Sequence, residues 1–341
     1  MDRRTSLSQE TLVNAPSHHS EQATGILYLA IGNTSLYREV ETYLPAGTRL
    51  ITLESGGEAE ILAKIADCHI VVAGTIKLSR AMIQAAPALQ LVVHQGVGYH
   101  DTLDVAALDE RGIPIAITPD GTPTTVSEHA IMLMLTACRH TAFADKELRD
   151  GRYHVNALRL KSRTLSGSVV GIIGMGRIGK ATAARLRGWG VTCLYTDPVP
   201  LSPDDEILLN ARRVDLDTLL SASDIVSLHV PLTDQTRAMI DAPRLARMKA
   251  GSILVNTSRG PVVDESALID ALRIGHLGAA GLDVFEREPF SEGNPLAELP
   301  NTVLTPHIAA ATRDTFKHKM SGVFNNIARH LEGLPLNNRV L

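Results

Sequence analysis

Cysteine is scarce in this sequence: 341 residues contain three, Cys68, Cys138 and Cys193. They stand too far apart for the paired spacing of a zinc site, and an odd, scattered set is not a disulfide framework. Buried thiols in a reducing, cytoplasmic compartment are the expectation. A basic excess is missing too, since 33 Lys and Arg stand against 37 Asp and Glu, a formal net charge of -4. A chain whose main partner is nucleic acid or an anionic membrane would need the opposite balance. No apolar run approaches the ~18 residues of a spanning helix. Residues 1–24 are polar and hold no apolar stretch of the kind that directs secretion, so they are expected to form a tail. The adjacent His18 and His19 do not by themselves make a metal site, and no metal is expected.

What is present is regular alternation. The hydrophobic fraction is 44% and the charged fraction 21%, ordinary for a globular chain, and the length suggests two domains. Short runs rich in Val, Ile and Leu occur at 26–31, 69–73, 91–94, 114–117, 169–173, 192–195, 225–230, 252–255, 279–284 and 302–304, most of them separated by helix-length segments. Runs of this kind are strands buried on both faces, and strand–helix alternation along a whole chain means an α/β fold with parallel sheets. Residues 126–139 (VSEHAIMLMLTACR) read as a helix that is apolar nearly all round, a core helix between domains that could also meet a second subunit. Glu128 and His129 on it read as a structural pair.

The run 169–173 leads directly into Gly174-Met-Gly176-Arg177-Ile178-Gly179 and a helix, and the next strand ends at Asp197. This context makes the glycine pattern a dinucleotide site. Gly174 allows the tight turn, Gly176 lets the backbone approach a pyrophosphate, and Gly179 lets helix pack on strand. The helix N-terminus offers free N–H groups to the phosphates. Asp197 can accept both ribose hydroxyls of NAD and would repel the 2′-phosphate of NADP. The site lies mid-chain. That layout fits a Rossmann-like nucleotide-binding domain over 122–311, inserted into a flavodoxin-like substrate domain over 25–121 and 312–341. Both are expected to be doubly wound parallel sheets.

Three strand ends carry candidate chemistry: Asn256-Thr257-Ser258-Arg259-Gly260, then Gly281 to Pro289 with Asp283, Glu286 and Glu288, then Thr305-Pro306-His307. An arginine, a carboxylate and a histidine on one rim suit hydride transfer to a 2-keto acid. The arginine clamps the carboxylate and polarises the ketone, the histidine moves the proton, and the carboxylate favours the charged imidazolium.

These motifs, with Leu228-His229-Val230-Pro231-Leu232 and Met248-Lys249-Ala250-Gly251, resemble those of the NAD-dependent D-isomer-specific 2-hydroxyacid dehydrogenases. The resemblance runs from about Leu27 to Leu334. It implies Arg259 as the substrate-binding arginine, Glu288 (directly before the proline) as the catalytic glutamate, His307 as the acid–base histidine and Asp283 as a partner of the nicotinamide amide. It also implies backbone contacts to the cofactor at Arg177, Ile178, Val230, Thr257 and Ser258, and a homodimer. His229 would shape the cofactor loop. In similar enzymes the turn Gln95-Gly96-Val97-Gly98-Tyr99 points N–H groups at the substrate carboxylate, which selects Val97 and Gly98; two glycines around one residue suit an anion nest. Many members place aspartates directly after this turn and again shortly beyond; here His100 and Leu103 stand there, with acids at Asp101 and Asp104, so the loop geometry is open.

The substrate is narrowed but not fixed. Phosphoglycerate dehydrogenases often carry an arginine where this chain has His94, and the chain ends at Leu341 with no room for a regulatory domain. Both weaken a role in serine biosynthesis. Glu288 speaks against formate oxidation, while phosphite oxidation stays open. Lys77 reads as exposed. An NADH-sensing corepressor of the same fold is the alternative outside enzymology, and the polar N-terminus and net charge favour the enzyme.

Overall fold

The computed structural model describes residues 23–341. Most of the tail expected over 1–24, with His18 and His19, lies outside them, and Thr24 already belongs to the first strand. Among the described residues twelve strands form two sheets. The first holds β1 (Thr24–Ile31), β2 (Thr48–Leu53), β3 (Ile70–Ala73), β4 (Leu91–His94) and β5 (Ile115–Ile117) in the order β2-β1-β3-β4-β5. The second holds β6 (Val169–Ile173), β7 (Thr192–Thr196), β8 (Ala211–Arg213), β9 (Ile225–Leu228), β10 (Ser252–Asn256), β11 (Leu277–Leu282) and β12 (Thr302–Leu304), in the order β12-β11-β10-β9-β6-β7-β8. All the strand pairs are parallel. The first order is that of flavodoxin-like sheets and the second that of dinucleotide-binding ones, so the α/β expectation with two doubly wound sheets holds. In each, the strand order reverses beside the first strand, and ligands of such sheets lie beyond the carboxyl ends there.

Burial explains the interior strands. β3, β4, β9 and β10 are buried at every residue, which is why they read as unbroken apolar runs. The two strands without such a run, β2 and β8, lie at sheet edges. β2 alternates in exposure and β8 carries two exposed arginines, Arg212 and Arg213.

Two long helices tie the sheets together. The helix Thr122–Arg139 buries ten of its residues, packing against the helix Arg177–Leu186 and on β10 and β11. It begins four residues earlier than its apolar stretch, with Pro123 in the first turn, where a missing N–H costs nothing. The C-terminal helix Arg313–Leu331 is capped by Thr312, whose hydroxyl accepts the Thr315 N–H at 3.2 Å. It returns Met320, Val323, Phe324 and Ile327 to a core built from β1, β3, β4 and β5. The last residues then run along β5: Ile117 N–H donates to Asn338 O and Val340 N–H to Ile115 O.

Candidate active site

The carboxyl ends of β6, β9, β10, β11 and β12 carry the glycine loop, His229, Arg259, Asp283 and His307, and the end of β4 carries the turn 95–99. The two rims meet at Arg259. Its Nη2 donates to Gly98 O at 3.1 Å, so a residue of the second sheet's rim touches the turn of the first.

At the glycine loop Gly174 adopts φ +93°, and a Cβ there would stand 2.6 Å from His229 O. A Cβ on Gly179 would collide with Gly174 O, whereas one on Gly176 would meet open space. The N–H groups of Gly176, Arg177 and Ile178, at the start of the helix Arg177–Leu186, have no protein acceptor among the described residues. The Met175 N–H instead donates to Asp197 Oδ2 at 2.7 Å, and Asp197 Oδ1 accepts from Val199 N–H at 2.8 Å. Asp197 therefore stands half-buried at the loop with an unused lone pair on each oxygen. Thr257 is buried with an unpartnered hydroxyl. Free N–H groups, an open approach at Gly176, an acid beside them and an orphaned hydroxyl fit a dinucleotide. His229 donates or accepts through Nε2 at Ser227 Oγ, 3.0 Å away, while its carbonyl packs on Gly174, a loop-shaping contact.

Arg259 is held from three sides. Nε donates to Asp101 Oδ2 at 2.7 Å, Nη2 to Gly98 O and more weakly to Asp101 Oδ1 at 3.5 Å, and Nη1 to Ser258 O at 3.0 Å. One Nη1 N–H is left, so a two-point clamp by Arg259 alone is not what this geometry offers. The N–H groups of Val97 and Gly98, which donate to no described residue, supply the other points. Beneath the turn of the arginine, Asn256 Nδ2 donates to Arg259 O at 2.9 Å and Asn256 Oδ1 accepts from Ser258 N–H. Asp101 was legible only as a misplaced acid. It pairs with Arg259, and Asp104 caps the helix Val105–Glu110 by accepting the Ala107 N–H at 2.9 Å.

His307 Nδ1 and Glu288 Oε2 lie 2.7 Å apart. Burial pushes the Glu288 carboxyl up, but the His307 hydrogen bond and charge, the Phe285 N–H and the Arg259 charge outweigh it and hold the group below the usual carboxylate range. Glu286 has no such bond; its N–H donates to Glu265. Asp283 is fully buried and its oxygens are largely taken. Oδ1 accepts from Thr305 Oγ1 at 2.6 Å and Ile308 N–H at 2.9 Å, and Oδ2 from Ala309 N–H at 2.8 Å. Its first task is thus to hold the loop of His307, and a nicotinamide contact would use what remains of Oδ2. Glu128 and His129 point apart: Glu128 Oε1 lies 3.8 Å from Arg185 Nε, while His129 Nε2 lies 2.9 Å from Thr305 Oγ1.

Below the 95–99 turn His94 is 6% exposed, with Nε2 3.0 Å from Thr102 Oγ1. Burial pushes its imidazole down to about 4, and the charges of Arg259 and Lys319 add to that. It is a neutral support of the turn. Lys77 is exposed, as read from the sequence. The three cysteines are free and buried, with burial raising the thiols of Cys68 and Cys193 to about 12. No cluster of potential metal ligands occurs among the described residues, and no described helix is long and apolar enough to cross a membrane.

The sequence profile of the "D-isomer specific 2-hydroxyacid dehydrogenase, NAD binding domain" matches residues 131–309. The chain is 40% identical over 276 residues to the glyoxylate reductase of Korarchaeum cryptofilum, covering 80% of this chain and 82% of that one. It is 39% identical over 267 residues to the hydroxypyruvate reductase of Thermotoga maritima, covering 77% and 85%. Among solved structures, a glyoxylate reductase from Paecilomyes thermophila superposes with a TM-score of 0.80 at 32% identity, over 93% of this chain and 98% of that one. The D-lactate dehydrogenase of Escherichia coli gives 0.79 at 28% identity, over 93% and 100%. The chain belongs to the D-isomer-specific 2-hydroxyacid dehydrogenase family. It is an NAD-dependent oxidoreductase of the 2-hydroxy acid/2-keto acid pair.

A measurable consequence concerns Asp197. The unmutated protein should show a much higher kcat/KM with NADH than with NADPH. Asp197→Ala should narrow that ratio by about tenfold or more, by relieving repulsion and weakening the ribose contacts. Equal use of both cofactors by the unmutated protein would remove Asp197 from this role.

Proposed function

We propose that this enzyme interconverts a small 2-keto acid and its D-2-hydroxy acid, with Arg259 binding substrate and Glu288–His307 moving the proton. The observation that carries the reading is the meeting of Arg259 with the Gly98 turn, beside a histidine–carboxylate pair, at one junction of strand ends. The substrate carboxylate takes the free N–H groups of Val97 and Gly98 and the remaining Nη1 N–H of Arg259. The guanidinium charge draws electron density onto the ketone oxygen as it becomes an alkoxide. Bound NADH supplies the hydride. His307 Nε2 gives its proton to the alkoxide and takes one back in the oxidative direction. Glu288, bonded to Nδ1, fixes the ring so that Nε2 faces substrate. Gly176, Arg177 and Ile178 receive the pyrophosphate on a loop shaped by Gly174 and Gly179, Asp197 the ribose, and Val230, Thr257, Ser258 and Asp283 the nicotinamide end.

A neutral, buried His94 gives no cation for a substrate phosphate. Glyoxylate and hydroxypyruvate, the substrates named for several relatives, are therefore favoured. The substrate domain is assigned to 25–121 and 312–341 and the nucleotide domain to 122–311, supported by the return of the C-terminal helix to the first sheet. A cytoplasmic location accords with three free thiols. A homodimer completes the proposal. The helix Thr141–Arg149 buries none of its residues, and beyond it Tyr153, Val155 and Leu160 are exposed, an apolar arm that a second copy would cover.

The test is NADH oxidation, followed by absorbance, against glyoxylate, hydroxypyruvate, pyruvate and phosphohydroxypyruvate, with chiral analysis of the product. Turnover of the first two, slowest use of the phosphorylated acid and a D product are expected. An L product, or no turnover with any 2-keto acid, overturns the reading.

A further inference from the structure

His129 sits on the helix Thr122–Arg139, with its side chain 12% exposed and far in sequence from the loop it touches. Its Nε2 lies 2.9 Å from Thr305 Oγ1 and 3.4 Å from Asp283 Oδ1. The direction of these bonds follows from counting protons. The single hydroxyl proton of Thr305 is given to Asp283 Oδ1, 2.6 Å away. Thr305 Oγ1 must then accept from His129, so Nε2 carries a proton.

Asp283 is the post to which the loop is tied. Its carboxylate accepts the N–H groups of Ile308 and Ala309, and its carbonyl accepts the His307 N–H at 2.8 Å. His307 lies between these bonds at φ +53°, a left-handed backbone that a residue with a Cβ adopts at a cost. The Asp283 carboxylate thus holds the residues on the C-terminal side of His307 by two N–H bonds. Burial opposes the charge, and the bonds from His129, Thr305, Ile308 and Ala309 outweigh burial and hold the carboxyl below its usual range. His129 is the member of that set that comes from outside the strand-end loops.

We propose that His129 is a positioning residue for His307, acting through the Thr305 hydroxyl and the Asp283 carboxylate. The proposal rests on the reading of His307 as the acid–base group. The helix that carries His129 starts where the chain leaves the first sheet, so this contact references the His307 loop to the crossing segment between the sheets.

The experiment compares His129→Ala, His129→Gln, Thr305→Val, the double variant His129→Ala/Thr305→Val and His307→Gln in the full-length enzyme. Each is assayed for kcat and KM in glyoxylate reduction, NADH Kd and Tm. His129→Ala should lower kcat about 10- to 100-fold, the scale of one hydrogen bond in a charged network, with KM and NADH Kd within about twofold. A glutamine amide reaches as far as Nε2, so His129→Gln should recover most of the rate. Thr305→Val, which also removes the hydroxyl's own bond to Asp283, should cost at least as much as His129→Ala, and the double variant should be no worse than Thr305→Val, because the link from His129 is already broken there. Losses that multiply in the double variant, no rescue by glutamine, or an unchanged kcat in His129→Ala overturn the positioning role. His307→Gln separates the two ideas: if it keeps its turnover, the acid–base reading itself fails. Should His129→Ala not fold, Thr305→Val and His129→Gln still decide the matter, with full activity of Thr305→Val counting against the link.

Discussion

His307→Gln should lose about 100- to 10,000-fold in kcat for keto-acid reduction, the range a positioned acid–base group contributes. NADH binding should survive, because the phosphate and ribose contacts proposed above fall to the glycine loop and Asp197, on other strand ends. Glu288→Gln tests the pairing through the charge of the glutamate. The Glu288 carboxylate lies 2.7 Å from His307 Nδ1. Burial opposes that charge, but the bonds and charges around it hold the glutamate below the usual carboxylate range, so its charge persists into mildly acid solution and is lost only as pH falls through that lowered value. Removing the charge should lower kcat for reduction and abolish the acid-side loss that protonation of Glu288 causes. The measurement is kcat/KM for reduction against pH in the unmutated enzyme and in Glu288→Gln. Superimposed profiles would mean that the Glu288 charge plays no part in the reaction.

How far the sequence discloses this arrangement depends on how local each constraint is. The interior strands are legible because burial on both faces writes a near-continuous apolar run, as in Leu91–His94 and Ile225–Leu228. The edge strands Thr48–Leu53 and Ala211–Arg213 escape, since a strand half in water needs no such run. The glycine loop is legible because Gly174, Gly176 and Gly179 answer separate steric demands within six residues. Pairings across the chain are not. Asp101 meets Arg259 from 158 positions away, and His129 meets Thr305 from 176 positions away. His129 looks in the sequence like any polar residue on a buried helix; only the proximity of Thr305 and Asp283 gives it a task. The segment 338–341 that runs along β5 has no strand signature of its own, because its bonds are to backbone.

Arg259→Lys should lower kcat/KM by about 100-fold or more, although the charge is conserved. The guanidinium does three things at once that an ammonium cannot. It bonds Asp101 through Nε and Nη2, rests on Gly98 O and Ser258 O, and keeps one N–H for substrate in a plane fixed by the others. A lysine of shorter reach can satisfy Asp101 or the substrate but not both, and a charge-assisted hydrogen bond is worth about 1.5–3 kcal/mol, or roughly 10- to 100-fold for each one lost. Both KM for the keto acid and kcat should suffer, because in the proposed mechanism the same group binds the carboxylate and polarises the ketone. Gly98→Ala provides an independent approach to the same contact. A methyl group there would overlap Arg259 Nη2, so the arginine would have to leave its place while remaining in the sequence. The loss should resemble that of Arg259→Lys, and NADH Kd, measured by calorimetry, should be unchanged in both. An Arg259→Lys enzyme with undiminished kcat/KM would remove Arg259 from substrate binding. A fully active Gly98→Ala enzyme would show that the arginine works from some position other than against this turn.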